Sequence, residues 1–275
     1  MISFPNAKIN LGLHVTGRRQ DGYHNIETVF YPLGLSDILE VTPSPDTRGH
    51  YTFLNTGIKI EGEPSDNLCI RAWNELNKIR PLPGVSIHLH KIIPSGAGLG
   101  GGSSNAVYVL RILNDLFQLG LKVSELEAIA GGIGSDCPFF MHNKPLFATG
   151  RGEIFEPAEI DLKGIRIVVV HAGIHIDTAR AYREITLAEH TGSLRDIIHT
   201  DPYSWQGRVT NDFEPGVFAG YPEIRYLKEQ LLDSGAFYAS MTGSGSAVYG
   251  LFDYEADIKI IKRKFPGLFL WDGIL

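Results

Sequence analysis

Pro94, Ser95, Gly96, Ala97, Gly98, Leu99, Gly100, Gly101, Gly102, Ser103 and Ser104 form one run in which five of eleven residues are glycine. Glycine lets successive backbone N–H groups turn toward one point without Cβ interference, and a helix start adds partial positive charge. Such a run suits the holding of an anion, phosphate above all. The two serines stand where a helix N-cap is expected and add hydroxyl donors. A P-loop would need Gly-Lys-Ser/Thr, yet no lysine occurs between Lys91 and Lys122. Gly96, Gly98 and Gly101 satisfy the dinucleotide pattern G-x-G-x-x-G, but Pro94 intervenes and the acidic Asp115 falls inside the following helix. A flexible linker fits poorly, because a strand-like Val85 to His90 and an amphipathic Asn105 to Leu119 abut the run.

Phosphate binding makes phosphoryl transfer the first reaction to consider, and that reaction needs charge neutralisation and a proton acceptor. Asp136, in the turn G-S-D-C-P-F-F at Gly134 to Phe140, is the candidate base; its other reading is a turn or cap carboxylate. Lys8 is the candidate cation and shares a strand face with Asn10; its other reading is a solvent-facing strand lysine. A lysine beside Asp136 would keep the carboxylate ionised. Thr242, Gly243, Ser244 and Gly245 form a second glycine–hydroxyl turn, able to present N–H groups to an anion or to serve as a plain hairpin. Tyr23 and His24 offer a stacking ring and a polar partner, or are surface residues of a hairpin. His88 and His90 lack a third metal ligand of suitable spacing and read as a solvated strand face.

Regular elements must position these groups. Ala7, Ile9, Leu11, Leu13 and Val15 alternate with Lys8, Asn10, Gly12 and His14, which predicts a half-buried strand. Asp21-Gly22 is a hairpin signal before a second strand, Tyr23 to Tyr31. Asp66 is the expected N-cap of a helix bearing Cys69, Ala72, Trp73 and Leu76. Ser124 with Glu127 reads as a capping box. Beyond residue 155 the spacing predicts an apolar strand over Ile165 to Val170, a helix over Thr178 to Ala188, and one over Pro222 to Asp233 closed by Gly235. Two strands then flank the second glycine turn, followed by a helix over Glu255 to Lys264 and a last strand. Strands and helices mix without repeated βαβ units, so the class is α+β with two lobes, divided as residues 1–155 and 156–275.

The 275 residues carry a formal net charge of −6, which argues against a nucleic-acid partner met by a basic face. Two cysteines with no paired framework point to a reducing cytoplasm. The first residues lack a basic start and apolar core, and no apolar run reaches a membrane span, so neither export nor a membrane partner is expected.

Three stretches in this order, P-N-A-K-I-N-L-G-L at Pro5 to Leu13, the glycine run, and T-G-S-G-S-A at Thr242 to Ala247, resemble the GHMP small-molecule kinases. R-R-Q-D-G-Y-H-N-I-E-T at Arg18 to Thr28 and N-D-F-E-P at Asn211 to Pro215 extend the likeness over nearly the whole chain. The resemblance implies a two-lobe GHMP kinase fold, with an N-terminal lobe like ribosomal protein S5 domain 2 and a ferredoxin-like C-terminal lobe. It implies ATP as phosphoryl donor with Mg²⁺, Asp136 as base, Lys8 as its partner, and Pro94 to Ser104 as the ATP phosphate loop. Asn10, Tyr23, His24 and Tyr182 are implied on the substrate side, with the two tyrosines stacking on a pyrimidine. The D-G-Y-H segment points within the family to a small-molecule acceptor carrying cytidine diphosphate, in non-mevalonate isoprenoid synthesis. The alternatives are a homoserine, mevalonate or sugar kinase, or a non-catalytic nucleotide binder of the same fold. No firm protein ligand for the metal is implied, Ser103 being the hydroxyl expected near it, and the expected state is a monomer or weak homodimer. Asn105, Val107, Ser135 and Cys137 depart from the commonest residues at their positions, and none is itself a catalytic candidate.

Overall fold

The alternating N-terminal run forms one strand of thirteen residues, Asn6–Arg18, as its period of two requires. The structure is a computed structural model that describes residues 1–275 except Arg48, Glu189 and Thr191. In chain order the first strands are β1 (Ile2–Ser3), β2 (Asn6–Arg18), β3 (His24–Ser36), β4 (Ile38–Pro43), β5 (Tyr51–Gly57) and β6 (Val85–Lys91). The later ones are β7 (Leu146–Thr149), β8 (Ile154–Pro157), β9 (Arg166–His171), β10 (Tyr238–Met241), β11 (Val248–Phe252) and β12 (Phe269–Ile274). Helices α1 (Leu68–Ile79), α2 (Gly101–Leu116), α3 (Val123–Ile133) and α4 (Cys137–His142) precede residue 145. After it come α5 (Thr178–Glu184), α6 (Leu194–Ile198), α7 (Glu214–Gly220), α8 (Pro222–Leu232) and α9 (Ile258–Arg263). The strands make three four-stranded sheets, ordered β1-β4-β6-β5, β2-β3-β7-β8 and β10-β11-β9-β12, so the class is α+β. Among the described residues no helix is long and apolar enough to cross a membrane.

By its contacts the chain sorts into two units, each assembled from several stretches: residues 1–7, 35–95 and 100–144, and residues 8–34, 96–99 and 145–275. In the first unit α2 packs on β4 of the sheet β1-β4-β6-β5, and α1, α3 and α4 pack against α2. β6 runs antiparallel to β4, with Ile87 opposite Val41, and parallel to β5, with Ile87 opposite Phe53. Ile70, Trp73 and Leu76 of α1 and Ala106, Val109, Leu110 and Leu113 of α2 are buried at helical spacing. Each large one contributes about 1.5–3 kcal/mol by leaving water. The start of α1 falls one residue later than expected. Pro64 sets a 3₁₀ turn that consumes Asp66, and Asn67 caps the helix by accepting from the Cys69 N–H at 2.9 Å. The expected Ser124–Glu127 box is likewise replaced. The Glu125 carboxylate accepts from the Lys122 N–H at 2.8 Å, while Glu127 lies 2.9 Å from His142 Nε2. Cys69 and Cys137 are buried thiols, and burial pushes both up to about 12, so they stay protonated and unreactive at neutral pH.

The second unit holds the other two sheets with α5 to α9. β9 is central, pairing antiparallel with β11 and β12, and Ile167 to Val170 are fully buried. Val168, Val248, Leu227, Met241 and Phe252 belong to its core. α5 ends at Glu184 rather than running to Ala188. α9 starts at Ile258, where Asp257 accepts from the Lys259 N–H at 2.9 Å, and not at Glu255. The larger correction concerns β2. Its second face was expected to meet solvent, yet Lys8, Asn10 and His14 are each only 2% exposed. The chain closes over that face: a Cβ at Gly12, which has φ +66°, would lie 2.6 Å from a Leu194 methyl and 3.1 Å from one of Val209.

Burial holds His171, at the end of β9, below its ordinary value of 6.5, and its Nε2 has no protein partner. The folded state therefore favours the neutral ring, and this contribution is present above about pH 6.5 and lost as pH falls. The melting temperature is expected to drop between about pH 7 and pH 5, and less steeply in His171→Asn. Thermal unfolding by circular dichroism checks this, and equal slopes in both proteins would remove His171 from the account.

Candidate active site

In the first unit the glycine run is held at both ends by one carboxylate. Asp37, fully buried, accepts from the Ile92 and Ile93 N–H groups at 2.7 and 2.8 Å, where the chain leaves β6. Its other oxygen accepts from Asn105 Nδ2, in the second turn of α2, at 2.8 Å, and from Lys91 Nζ. Asp37 thus fixes the strand exit and the helix entry that the run connects. Burial pulls the Lys91 pKa down, and the Asp37 charge opposes that pull. Asn105 fits here because its amide donates; an aspartate would set a second carboxylate against Asp37. Neither Asp37 nor Lys91 was singled out from the sequence. Asp37 falls in phase with Leu33, Leu35, Leu39 and Val41, and Lys91 with Val85, Ile87 and Leu89. A charge in register with a buried strand face was the signal available.

α2 begins at Gly101, with Gly100 as its N-cap at φ +69°. Ser103 and Ser104 are therefore in the first turn, not at the cap, because a left-handed glycine ends the loop and starts the helix four residues earlier than expected. The first N–H groups of α2 have no acceptor within the helix and carry its positive dipole end. Gly101 has to be glycine: a Cβ would lie 2.9 Å from Ile93 Cγ2 and 2.8 Å from Lys91 Nζ. Asp136 occupies the N-cap position of α4, yet its carboxylate makes no capping hydrogen bond. The Ser103 hydroxyl bonds the Cys137 thiol, and a Cβ at Gly134 would lie 3.3 Å from that sulfur and 3.8 Å from Ser103 Oγ. Ser103 and the turn that carries Asp136 are thus neighbours. The unit also has a cleft of about 240 Å³ lined by Phe53, Ile60, Pro64 and Asn67. Leu68, next to Asn67, stands 3.4 Å from where a Gly102 Cβ would be, so this cleft adjoins the head of α2.

In the second unit Lys8 Nζ donates to Asn10 Oδ1 at 2.7 Å and lies 5.0 Å from the Phe30 ring centre. The Lys8 N–H donates to the Leu99 carbonyl at 2.9 Å. Asn10 Nδ2 donates to Thr28 Oγ1 at 2.9 Å, and the Asn10 N–H to Thr242 Oγ1 at 3.0 Å. Thr242 Oγ1 donates in turn to the Gly98 carbonyl at 3.1 Å, and the Ala247 N–H to Ala97 at 3.1 Å. The second glycine turn is thereby joined to Gly96–Leu99 of the first, which is more than a plain hairpin does. Asn211 holds that turn: Nδ2 donates to the Met241 and Gly243 carbonyls at 2.8 and 2.9 Å. Glu214 accepts from the Met241 N–H at 2.8 Å and from Lys228 Nζ at 2.6 Å. Asn211 and Glu214 are supporting residues whose roles no local spacing announces.

Tyr23 is 57% exposed, with the Arg151 guanidinium 4.9 Å from its ring centre. His24 stacks on Tyr182 at 5.2 Å, and Tyr182 meets Phe213 edge-on at 4.8 Å. Burial draws the His24 pKa down, and its buried Nε2 has no protein partner. A neutral imidazole with an unsatisfied edge beside two tyrosines suits a planar polar ring. His88 and His90 both face the Thr56 hydroxyl, at 2.8 and 3.0 Å.

Residues 67–144 match the GHMP kinases N terminal domain, and residues 188–269 the GHMP kinases C terminal domain. The chain is 53% identical over 254 residues to a 4-diphosphocytidyl-2-C-methyl-D-erythritol kinase of Azobacteroides pseudotrichonymphae, covering 92% of this chain and 93% of the relative. It is 46% identical over 275 residues to the protein of that name from Parabacteroides distasonis, covering 100% of each. It is also similar to a crystal structure of 4-(cytidine 5'-diphospho)-2C-methyl-D-erythritol kinase, with a TM-score of 0.83 at 30% identity over 99% of this chain and 98% of that one.

Proposed function

The chain belongs to the GHMP kinases, and we propose that it transfers the γ-phosphoryl group of ATP to the 2-hydroxyl of 4-diphosphocytidyl-2-C-methyl-D-erythritol. The observation that carries this reading is the full-length likeness to kinases named for that acceptor. The setting we propose is non-mevalonate isoprenoid synthesis in the cytoplasm.

The first N–H groups of α2 and the glycines before it receive the ATP phosphates, and the cleft beside Asn67 receives the base. The N–H groups would stabilise charge that builds on the phosphoryl oxygens as the bond to the leaving phosphate lengthens. Asp136 takes the proton of the acceptor hydroxyl. Lys8, a cation on the buried face of β2 beside Asn10, is its proposed partner. Mg²⁺ fits a site with few hard protein donors, the Ser103 hydroxyl being the one proposed near it. When bound with the nucleotide it would neutralise phosphate charge and leave most of its coordination to phosphate and water. On the acceptor side Tyr23 and Tyr182 stack on the cytosine, and the unpartnered His24 Nε2 reads its polar edge.

ADP release in Mg²⁺, with this acceptor and with mevalonate, homoserine and galactose alongside, tests the proposal. Release with the cytidyl acceptor alone supports it; release with another acceptor overturns the substrate but keeps the kinase. Truncation of the stack is expected to act on binding. Tyr23→Ala should raise the acceptor KM about 5–150-fold, from the loss of about 1–3 kcal/mol of stacking, with the KM for ATP unchanged. Steady-state kinetics in each substrate decides, and an equal rise in both would place Tyr23 elsewhere.

A further inference from the structure

His175, a residue with no role so far, lies against the glycine run. It belongs to the stretch between β9 and α5, in the second unit with Gly96–Leu99. A Cβ on Gly96 would sit 2.8 Å from His175 Cε1, with Nδ1 nearer still, so the imidazole fills the space that a side chain at Gly96 would need. The residue is exposed, and no hydrogen bond to a described residue occupies its ring nitrogens. We propose that His175 is a further phosphate-binding residue, donating a ring N–H to a phosphate oxygen at the glycine run, either of ATP or of the acceptor's diphosphate. This rests on the reading of the run as a phosphate site.

The residues on both sides of His175 are fastened to the second glycine turn. The buried Ser246 hydroxyl donates to the Ile174 carbonyl. A Cβ at Gly245 would sit 2.9 Å from Ile176 Cδ1, so buried Ile176 packs on that turn. Thr178 Oγ1 lies 2.9 Å from Ser244 Oγ. The second turn is itself bonded to the Ala97 and Gly98 carbonyls of the first. Residues 174–178 are thus a third loop joined to the two glycine turns, and His175 has little freedom to leave Gly96. Asp177, the other ionisable residue of this loop, is engaged in capping α5, where it accepts from the Ala179 and Arg180 N–H groups at 2.9 and 3.2 Å.

The run contains no lysine, so the donors that it offers a phosphate are backbone N–H groups and serine hydroxyls. An imidazole N–H adds a directional side-chain donor, and its bond to an ionised phosphate is stronger than one between neutral groups. The ring also gives Gly96 a second reason to be glycine beyond its φ of +65°, since any Cβ there would displace the imidazole.

Two substitutions separate the donor from the bulk. His175→Phe keeps a ring against Gly96 and removes the N–H, whereas His175→Gln keeps an N–H donor and removes the ring. ATP and CDP are each titrated alone by calorimetry into the full chain in Mg²⁺, CDP serving as probe for the acceptor's diphosphate. His175→Phe is expected to weaken one of the two by about tenfold or more, and His175→Gln to stay within about threefold of wild type, with melting temperatures held. A loss confined to ATP supports the proposal and places the ring on the donor's phosphates; a loss confined to CDP supports it and places the ring on the acceptor. Wild-type affinity for both nucleotides in His175→Phe, or equal weakening in the two variants, overturns the assignment. The kinase reading fails separately, by absence of acceptor-dependent ADP release from a wild type that still binds ATP.

Discussion

Asp136→Asn is expected to lower kcat by about 10²–10⁴-fold while changing the KM for ATP little, as loss of a general base does. Asparagine keeps the size of the side chain and most of its hydrogen-bonding capacity, but it cannot take the acceptor proton. The competing reading of Asp136 is structural, a cap on the short helix α4. The carboxylate stands at the N-cap position of α4 without making a cap hydrogen bond. Asp136→Ala separates the two. Removing a functioning cap costs about 0.5–2 kcal/mol, so a structural Asp136 would show a lowered melting temperature with alanine. A catalytic one would show turnover lost in both variants with the melting temperature held. ADP release and thermal melts on the same preparations provide both readouts. Turnover above about a tenth of wild type in Asp136→Asn would take the base role from this residue.

Gly98→Ala is expected to raise the KM for ATP at least tenfold and to lower kcat with it. Gly98 has φ +77°, a conformation that costs an L-residue about 1–2 kcal/mol. A Cβ there would sit 2.9 Å from the Thr242 carbonyl carbon and 3.2 Å from the Gly245 oxygen, with the Thr242 oxygen nearer still. These are backbone atoms, so no rotamer can relieve the contact and one loop has to leave the other. The hydrogen bond from Thr242 to the Gly98 carbonyl would break, and Thr242 also receives the Asn10 N–H. Gly102→Ala is the control. Gly102 is the second residue of α2 without a positive φ, and its Cβ would meet only Leu68 at ordinary contact, 3.4 Å. It should raise the KM for ATP far less than Gly98→Ala does and melt no lower, since alanine favours a helix over glycine. Comparable damage from both substitutions would show that bulk anywhere in the run, rather than this one approach, disables it.

The elements and their chemistry were legible because their signals are local. Glycine spacing announced the loop, alternation announced β2 and β6, and helical spacing announced α1, α2 and α8. Misplaced ends came from local competition that one residue settles: Pro64 drew Asp66 into a 3₁₀ turn, and Glu125 rather than Glu127 reached back to cap α3. Tyr182 could be named from its resemblance, whereas its stack on His24 joins residues 158 positions apart.

The sequence by itself determined the α+β class, the glycine loop between a strand and a helix, and the kinase family. Each rests on patterns a few residues long that the backbone obeys wherever it is placed. Only tertiary structure decided that the polar face of β2 is buried, which turns Lys8, Asn10 and His14 from surface residues into an interior row. It also decided that Asp37 ties both ends of the loop, and that Asn211 holds the second glycine turn from 30 and 32 residues away. A buried charge or amide must find its partner wherever the fold brings one, and the cost of leaving it unpaired sets the partner. That demand acts across the folded chain and leaves no period in the sequence to read.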